Sequence, residues 1–336
     1  MLLAKVCHEA GWYLCQSGVF RASAALLQLC YAERKQVLGD EHSDTLLSLI
    51  MLRVQELLAK QDKARKIFER CLMSAERIYP DSDQEGRFVL ALCLEKMGIT
   101  ELDHRQFEEA ETHLRRALGC YDDLSGYDRS YDCVSALKEV LLKRGKSAEA
   151  EGLCRQALER CTERYGNEHS HTISMTRDLV EALRLQGKLE EGMEIAQRIL
   201  AISHRRFGVD DHQSLGIMCE IARLLRAQKK NQEAADLLER VHRMSSNRHG
   251  NESINALGHA QSYAGGLKNI GKVDQALEVM RVCAKNTHRK LGADHKDTNQ
   301  SERARGEVGA EASKGRGRTA KARSALHPRD TPGATC

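Results

Sequence analysis

An all-α chain of tandem helix hairpins is predicted by three features of this sequence. Proline stands only at Pro80, Pro328 and Pro332 of 336 residues, in a composition rich in Ala, Leu, Glu, Arg and Lys. Such a chain favours helix almost throughout. Aromatic residues make up 4%, which argues against a β-rich fold. Above all, two short motifs return with one period, half a period out of phase with each other.

The first motif reads LGDEHSDTL from Leu38, YGNEHSHTI from Tyr165 and FGVDDHQSL from Phe207. It continues as HGNESINAL from His249 and LGADHKDTN from Leu291. Gly166, Gly208, Gly250 and Gly292 stand 42 residues apart, and degenerate copies at Tyr79 and Ser125 fill the gap back to Gly39. The second motif reads RGKSAEAEGL from Arg144, QGKLEEGMEI from Gln186, KKNQEAADLL from Lys229 and IGKVDQALEV from Ile270. Two breakers per period leave two helical segments of roughly 14–18 residues, here termed A and B. Apolar residues within them fall at helical spacing, as in Leu179, Ala182, Leu183 and Leu185. Glycine in the loop after helix B suits the left-handed cap conformation, and Ser43, Ser170 or Thr172 is the expected cap of the next helix A. The predicted hairpins span about 3–38, 45–79, 87–125, 129–165, 172–207, 214–249 and 256–291. The array is taken to end at 297, with residues 298–336 a basic, disordered tail.

Charge agrees with that division. Residues 301–336 carry eight Lys/Arg against four Asp/Glu, which accounts for the whole net charge of +4. The balanced body argues against nucleic acid as a general partner, and the tail alone could serve as a nucleic-acid or import element. No run approaches the roughly 18 apolar residues of a membrane span. Twelve cysteines without a Cys-x-x-Cys pair suit a reduced, cytoplasmic protein.

In these residues the chain resembles the tetratricopeptide repeat family, in particular the 42-residue variety of kinesin light chains. The resemblance covers about 3–297. The family pairs a large and a small residue in helix A with an alanine early in helix B. Ala10-Gly11, Met97-Gly98, Leu179-Val180, Ile221-Ala222 and Tyr263-Ala264 supply the first pair. Ala64, Ala110, Ala150, Ala234 and Ala276 supply the second position, with Ser23 and Gly192 substituting, and Cys30, Cys71 and Cys283 fill a later small site. The resemblance implies a right-handed superhelix whose A helices line a concave groove for partner peptides or helices. The implied function is a protein-interaction scaffold or adaptor. A second reading is the C-terminal sensor tail of an NB-ARC or NACHT-type nucleotide-switch protein, present as a fragment.

Projected onto that groove, Arg184, Arg226 and Lys268 form a ladder at 42-residue spacing, with Arg223 and Arg177 at neighbouring positions. Arginine forks match carboxylates, so the expected partners carry acidic segments. The competing reading is a set of solvated charges paired with Glu181 and similar acids. Other chemistry is weaker. His42, His169, His212 and His295 recur in successive loops, too far apart to share one metal, so they are read as loop or capping residues. No nucleophile-elbow or phosphate-loop motif occurs, and no enzyme activity, metal or cofactor is expected. Trp12 is either a partner anchor or a packing residue.

Overall fold

The computed structural model describes residues 2–16, 20–57, 61–78, 84–122, 124, 130–291 and 298–310. Among these there is no strand. Helices follow in pairs: α1 (Leu2–Gln16) and α2 (Phe20–Leu38), α3 (Ser43–Leu57) and α4 (Gln61–Ile78), α5 (Gln84–Asp103) and α6 (Phe107–Asp122), α7 (Ser130–Lys143) and α8 (Ser147–Tyr165). Then come α9 (Ser170–Leu185) and α10 (Leu189–Phe207), α11 (His212–Ala227) and α12 (Asn231–His249), α13 (Ile254–Asn269) and α14 (Val273–Leu291). A further helix, α15, covers 298–310.

The chain divides into two units, residues 1–206 and 207–336. In the first, α2, α4, α6 and α8 each pack on the next A helix, and α1, α3, α5 and α7 each touch the following A helix. In the second, α12 packs on α13, and α11 on α13, in the same way. This is a stacked-hairpin architecture, in which no hairpin buries its apolar stripe alone. One continuous core runs from Leu27 through Phe68, Leu92, Leu114 and Leu137 to Ala182.

Close helix approach depends on the small residues. Ser23, Ala110, Ala150, Ala234 and Ala276 are all fully buried. At Gly98 a Cβ would lie 2.5 Å from Leu114 Cγ and 3.2 Å from the Ala110 carbonyl, so only glycine fits. Cys30, Cys71 and Cys283 are buried packing residues, and nine of the ten cysteines whose side chains are described are buried thiols. Burial pushes the Cys154 thiol up to about 12, which makes it inert. Trp12 packs against the main core.

The A–B turns use a left-handed residue. Gly145, Gly187 and Gly271 hold φ of 75°, 80° and 80°, and Arg105 and Lys229 take the same conformation at 62° and 63°. An L-residue there is strained by roughly 1–2 kcal/mol.

Two expectations need correction. Ser43 and Ser170 do not cap their helices; they are the first helical residues. The acceptors stand one position earlier: His42 Nδ1 takes the Asp44 N–H and His169 Nδ1 the His171 N–H, both at 3.2 Å. Asp211 and Ser253 fill this role before α11 and α13. Thr172 instead donates back to the Gly166 carbonyl at 2.8 Å, as Ser214 does to Gly208 at 2.7 Å. The second correction concerns residue 298, set as the start of a disordered tail. Residues 298–310 are helical: Val308 is buried with Ala264, Leu267 and Met280, and Ser301 accepts from Gln261 at 2.6 Å. Val308 with the buried Thr298 and Ser301 suffices because the preceding hairpin supplies the apolar surface. The motif copies at 79–83 and 125–129, His295 and residues 311–336 lie outside the described residues.

Lys229→Gly is expected to raise the unfolding free energy by about 1 kcal/mol in denaturant titrations. Gly98→Ala is expected to lower it by roughly 1–3 kcal/mol, because Leu114 has no room to move.

Candidate functional site

The five cations singled out in the sequence fall on three A helices. Arg177 and Arg184 lie on α9 in the first unit; Arg223 and Arg226 on α11 and Lys268 on α13 belong to the second. Arg184, Arg226 and Lys268 each occupy the last turn of their helix, as Lys143 does in α7. A cation at that place complements the negative end of the helix dipole. The ladder therefore has a local structural cause as well as any binding role.

Their environments differ. Arg177 is half-buried and makes no ion pair among the described residues. The Arg184 side chain is 19% exposed, with Nη2 3.9 Å from Glu181 and Nε buried without a protein hydrogen bond. Arg223 is ion-paired to the buried Glu220 one turn back, Arg226 is exposed, and Lys268 is half-buried. The structure thus brings Arg223, Arg226 and Lys268 onto two adjacent helices. It pairs Arg184 and Arg223 with acids of their own helix.

A polar network that the repeat pattern did not disclose joins α7 to α9. Lys138 Nζ donates to Asp178 at 2.8 Å and to Glu181 at 2.6 Å, and Ser135 donates to Asp178 at 2.5 Å. Burial opposes the Lys138 charge, but the two carboxylates outweigh it and raise its pKa. Such a network satisfies its own members. Its partners lie about 40 residues apart, which no local motif reports.

A second device recurs. Glu111, early in α6, receives Lys146 at 2.9 Å and Arg144 from the next A–B turn, and Arg115 from its own helix at 2.9 Å. Glu151, early in α8, receives Lys188 at 2.7 Å and Gln186 at 2.6 Å from the following turn, and Arg155 at 2.8 Å. Burial alone would raise the Glu111 carboxyl; Lys146, Arg115 and Arg144 outweigh it and bring it down to about 2. Lys188 leads in holding Glu151 down to about 2, against burial and with Arg155 and Gln186. Gly145-Lys146 and Gly187-Lys188 of the second motif are thus clamps between hairpins.

The loop acids of the first motif are also accounted for. Glu41, Glu168, Asp210 and Glu252 pair with Arg77, Arg205, Arg248 and Arg289, in the last turns of the B helices that follow them. These pairs are exposed, worth about 0–1 kcal/mol each. His42 and His169 are caps, and His212 is an exposed neighbour of the capping Asp211. Among the described residues no group of His, Cys, Asp or Glu is arranged to hold a metal ion. On α13, His259 Nδ1 is buried without a protein partner. Burial first, then His242 and His249 of α12, lower its pKa to about 4.

Comparison with known proteins agrees with the stacked-hairpin fold. Tetratricopeptide repeat family models match residues 171–247 and, separately, 3–44 and 139–171. No curated protein sequence matches the chain. Among solved structures, a Rap protein complexed with Competence and Sporulation Factor is 13% identical with a TM-score of 0.55, over 85% of this chain and 77% of that one. BtubC (BKLC) from P. vanneervenii is 15% identical with a TM-score of 0.51, over 82% and 97%. The nearly identical TPR-like repeats named for a kinesin light chain of Podosopora anserina are 19% identical with a TM-score of 0.45, over 58% and 93%. At these identities the first two show a shared fold.

Acid should weaken the two units in different windows. His259 stays neutral in the fold down to about pH 4, whereas the unfolded imidazole takes its proton near 6.5. The stability of α12–α13 should fall as pH drops from 6.5 to 4. Glu111 and Glu151 stay ionised to about pH 2 while unfolded carboxyls protonate near 4.5, so the α6–α9 contacts should weaken between 4.5 and 2. Hydrogen exchange at stepped pH should lose protection first in α12–α13, and His259→Gln should abolish that first step.

Proposed function

We propose that this chain, which belongs to the tetratricopeptide repeat family, is a non-catalytic scaffold. In this reading it holds a partner protein against the A helices of its hairpins. One observation carries the reading. On α11 and α13 the packing is met by Leu215, Met218, Ala222 and Leu224, and by Leu257, Ala260, Ala264 and Leu267, all buried. Arg223, Arg226 and Lys268 lie outside that apolar core and fall on neighbouring helices, Arg226 and Lys268 at the same register. Three cations on one short surface favour carboxylates, and arginine favours them in a two-pronged geometry. The partner of this reading is an acidic peptide segment. Most of its contact would be near-neutral, with a few anchors dominating. Arg177 and Arg184 are proposed as a separate contact on the first unit.

The same reading places the chain in the cytoplasm, on the strength of its thiols. The ten cysteines whose side chains are described are thiols and not disulfides, in a pattern that oxidising compartments do not favour. No helix among the described residues is long and apolar enough to cross a membrane.

The test is fluorescence anisotropy with labelled Asp/Glu-rich and Lys/Arg-rich peptides, on the wild type and on Arg226→Glu/Lys268→Glu. The expected result is selective binding of the acidic peptide, at least ten-fold weaker in the double variant at unchanged helicity. Binding should also weaken as salt rises, since exposed charges are screened. Equal binding of both peptides, or no loss in the variant, would show that these cations only complement their helix ends.

A further inference from the structure

The second unit contains a cavity of about 210 Å³ bounded by α12 and the loop after it, the first half of α13, and α14. Its origin is legible in the repeat. Position by position, the two preceding hairpins carry Leu158 and Leu200 where this site has His242, and Ile199 and Val241 where it has Cys283. They carry Ile202 and Met244 where it has Asn286, and Thr176 and Met218 where it has Ala260. Each change is to a smaller or more polar side chain. Together they remove the atoms that would fill this corner in a close-packed stack.

The lining is mixed. Leu257, Val279 and Val282 give an apolar wall, and Val282 is 51% exposed at the mouth. Asn251, Asn286 and Glu278 add amide and carboxylate oxygens. His242 is held in place by stacking on Tyr263, with centroids 5.7 Å apart and planes 17° apart. A cavity of about 150 Å³ accommodates benzene. A space of 210 Å³ suits a somewhat larger ring system. Carboxylate and amide acceptors among the polar groups favour a ring that carries an N–H or O–H donor.

We propose that this cavity binds a single aromatic group of indole or hydroxyphenyl type, its face on Leu257, Val279 and Val282 and its donor toward Glu278 or an asparagine amide. The site is separate from the cations of the scaffold surface. Leu257 precedes Lys268 by 11 residues on α13, or roughly 16 Å along a helix. The two proposals therefore stand or fall independently.

The experiment uses the full chain with methyl-labelled valine and leucine, titrated with indole and with the tripeptide Gly-Trp-Gly. The variant is His242→Leu/Asn286→Met, which restores residue types the neighbouring hairpins carry. Shifts of the Val279 and Val282 methyls on adding indole, with at least ten-fold weaker binding in the variant, are the expected result. If Gly-Trp-Gly also shifts them, the group is a partner's side chain; if indole alone does, it is a free small aromatic. Either arm supports the shared chemistry. Unmoved valine methyls at millimolar indole, or equal affinity in wild type and variant, would overturn it. The wild-type titration decides the matter even if the variant does not fold.

Discussion

The carboxylates of Glu111 and Glu151 show what holds this stack together. Each sits early in a B helix, nearly closed off from water, and each is met by the A–B turn of the next hairpin. A buried carboxylate is costly unless paired, so the turn cannot move away without exposing an uncompensated charge. The turn's position in turn fixes where the next B helix starts. The neighbouring small residues then set how closely the helices cross. In the second unit the same position is Ala235, whose Cα lies 3.3 Å from where a Cβ on Gly266 would be. There the lock is close backbone contact instead of charge. Both solutions meet one constraint: a hairpin with one apolar stripe needs its neighbour.

Much of this was legible in the sequence, for a physical reason. A stacked repeat places the same demand on the same position every 42 residues. Glycine at the B–A loops, small residues at the crossings and buried cysteines therefore announce themselves by recurrence. What recurrence hides is the partner. The Gly-Lys turn signals a helix stop, but Lys146 and Lys188 are also each one half of a clamp whose other half lies 35 or 37 residues earlier. The motif marks its histidine as a loop or capping residue, yet the usual cap type is the serine after it. A neutral imidazole nitrogen accepts a backbone N–H where serine was the usual expectation. Helix α15 was missed because its own sequence lacks an apolar stripe; Val308 is enough once α13 and α14 supply the rest.

The candidate contact residues were found by position, and the structure adds their causes. Arg184, Arg226 and Lys268 recur at helix ends, where a cation is favoured, so their recurrence alone does not argue for a ligand. A recurring residue in a repeat protein is thus first explained by the stack. Information about a ligand is carried by residues that recurrence does not require. Arg223 beside Arg226 is one such case, and the cavity left by His242, Ala260, Cys283 and Asn286 is another. The scaffold is set by what is repeated, and its specificity by what is not.

The most direct test of this account is a double-mutant cycle between Glu151 and Lys188, read by denaturant unfolding. The singles Glu151→Gln and Lys188→Met and the pair together separate the interaction from the loss of each side chain. A coupling of about 1–3 kcal/mol, with lost hydrogen-exchange protection confined to α8–α10, is the predicted result. Additive losses with no coupling, or a loss of protection spread evenly over the chain, would contradict the claim that the buried Glu151 carboxylate locks its hairpin to the next.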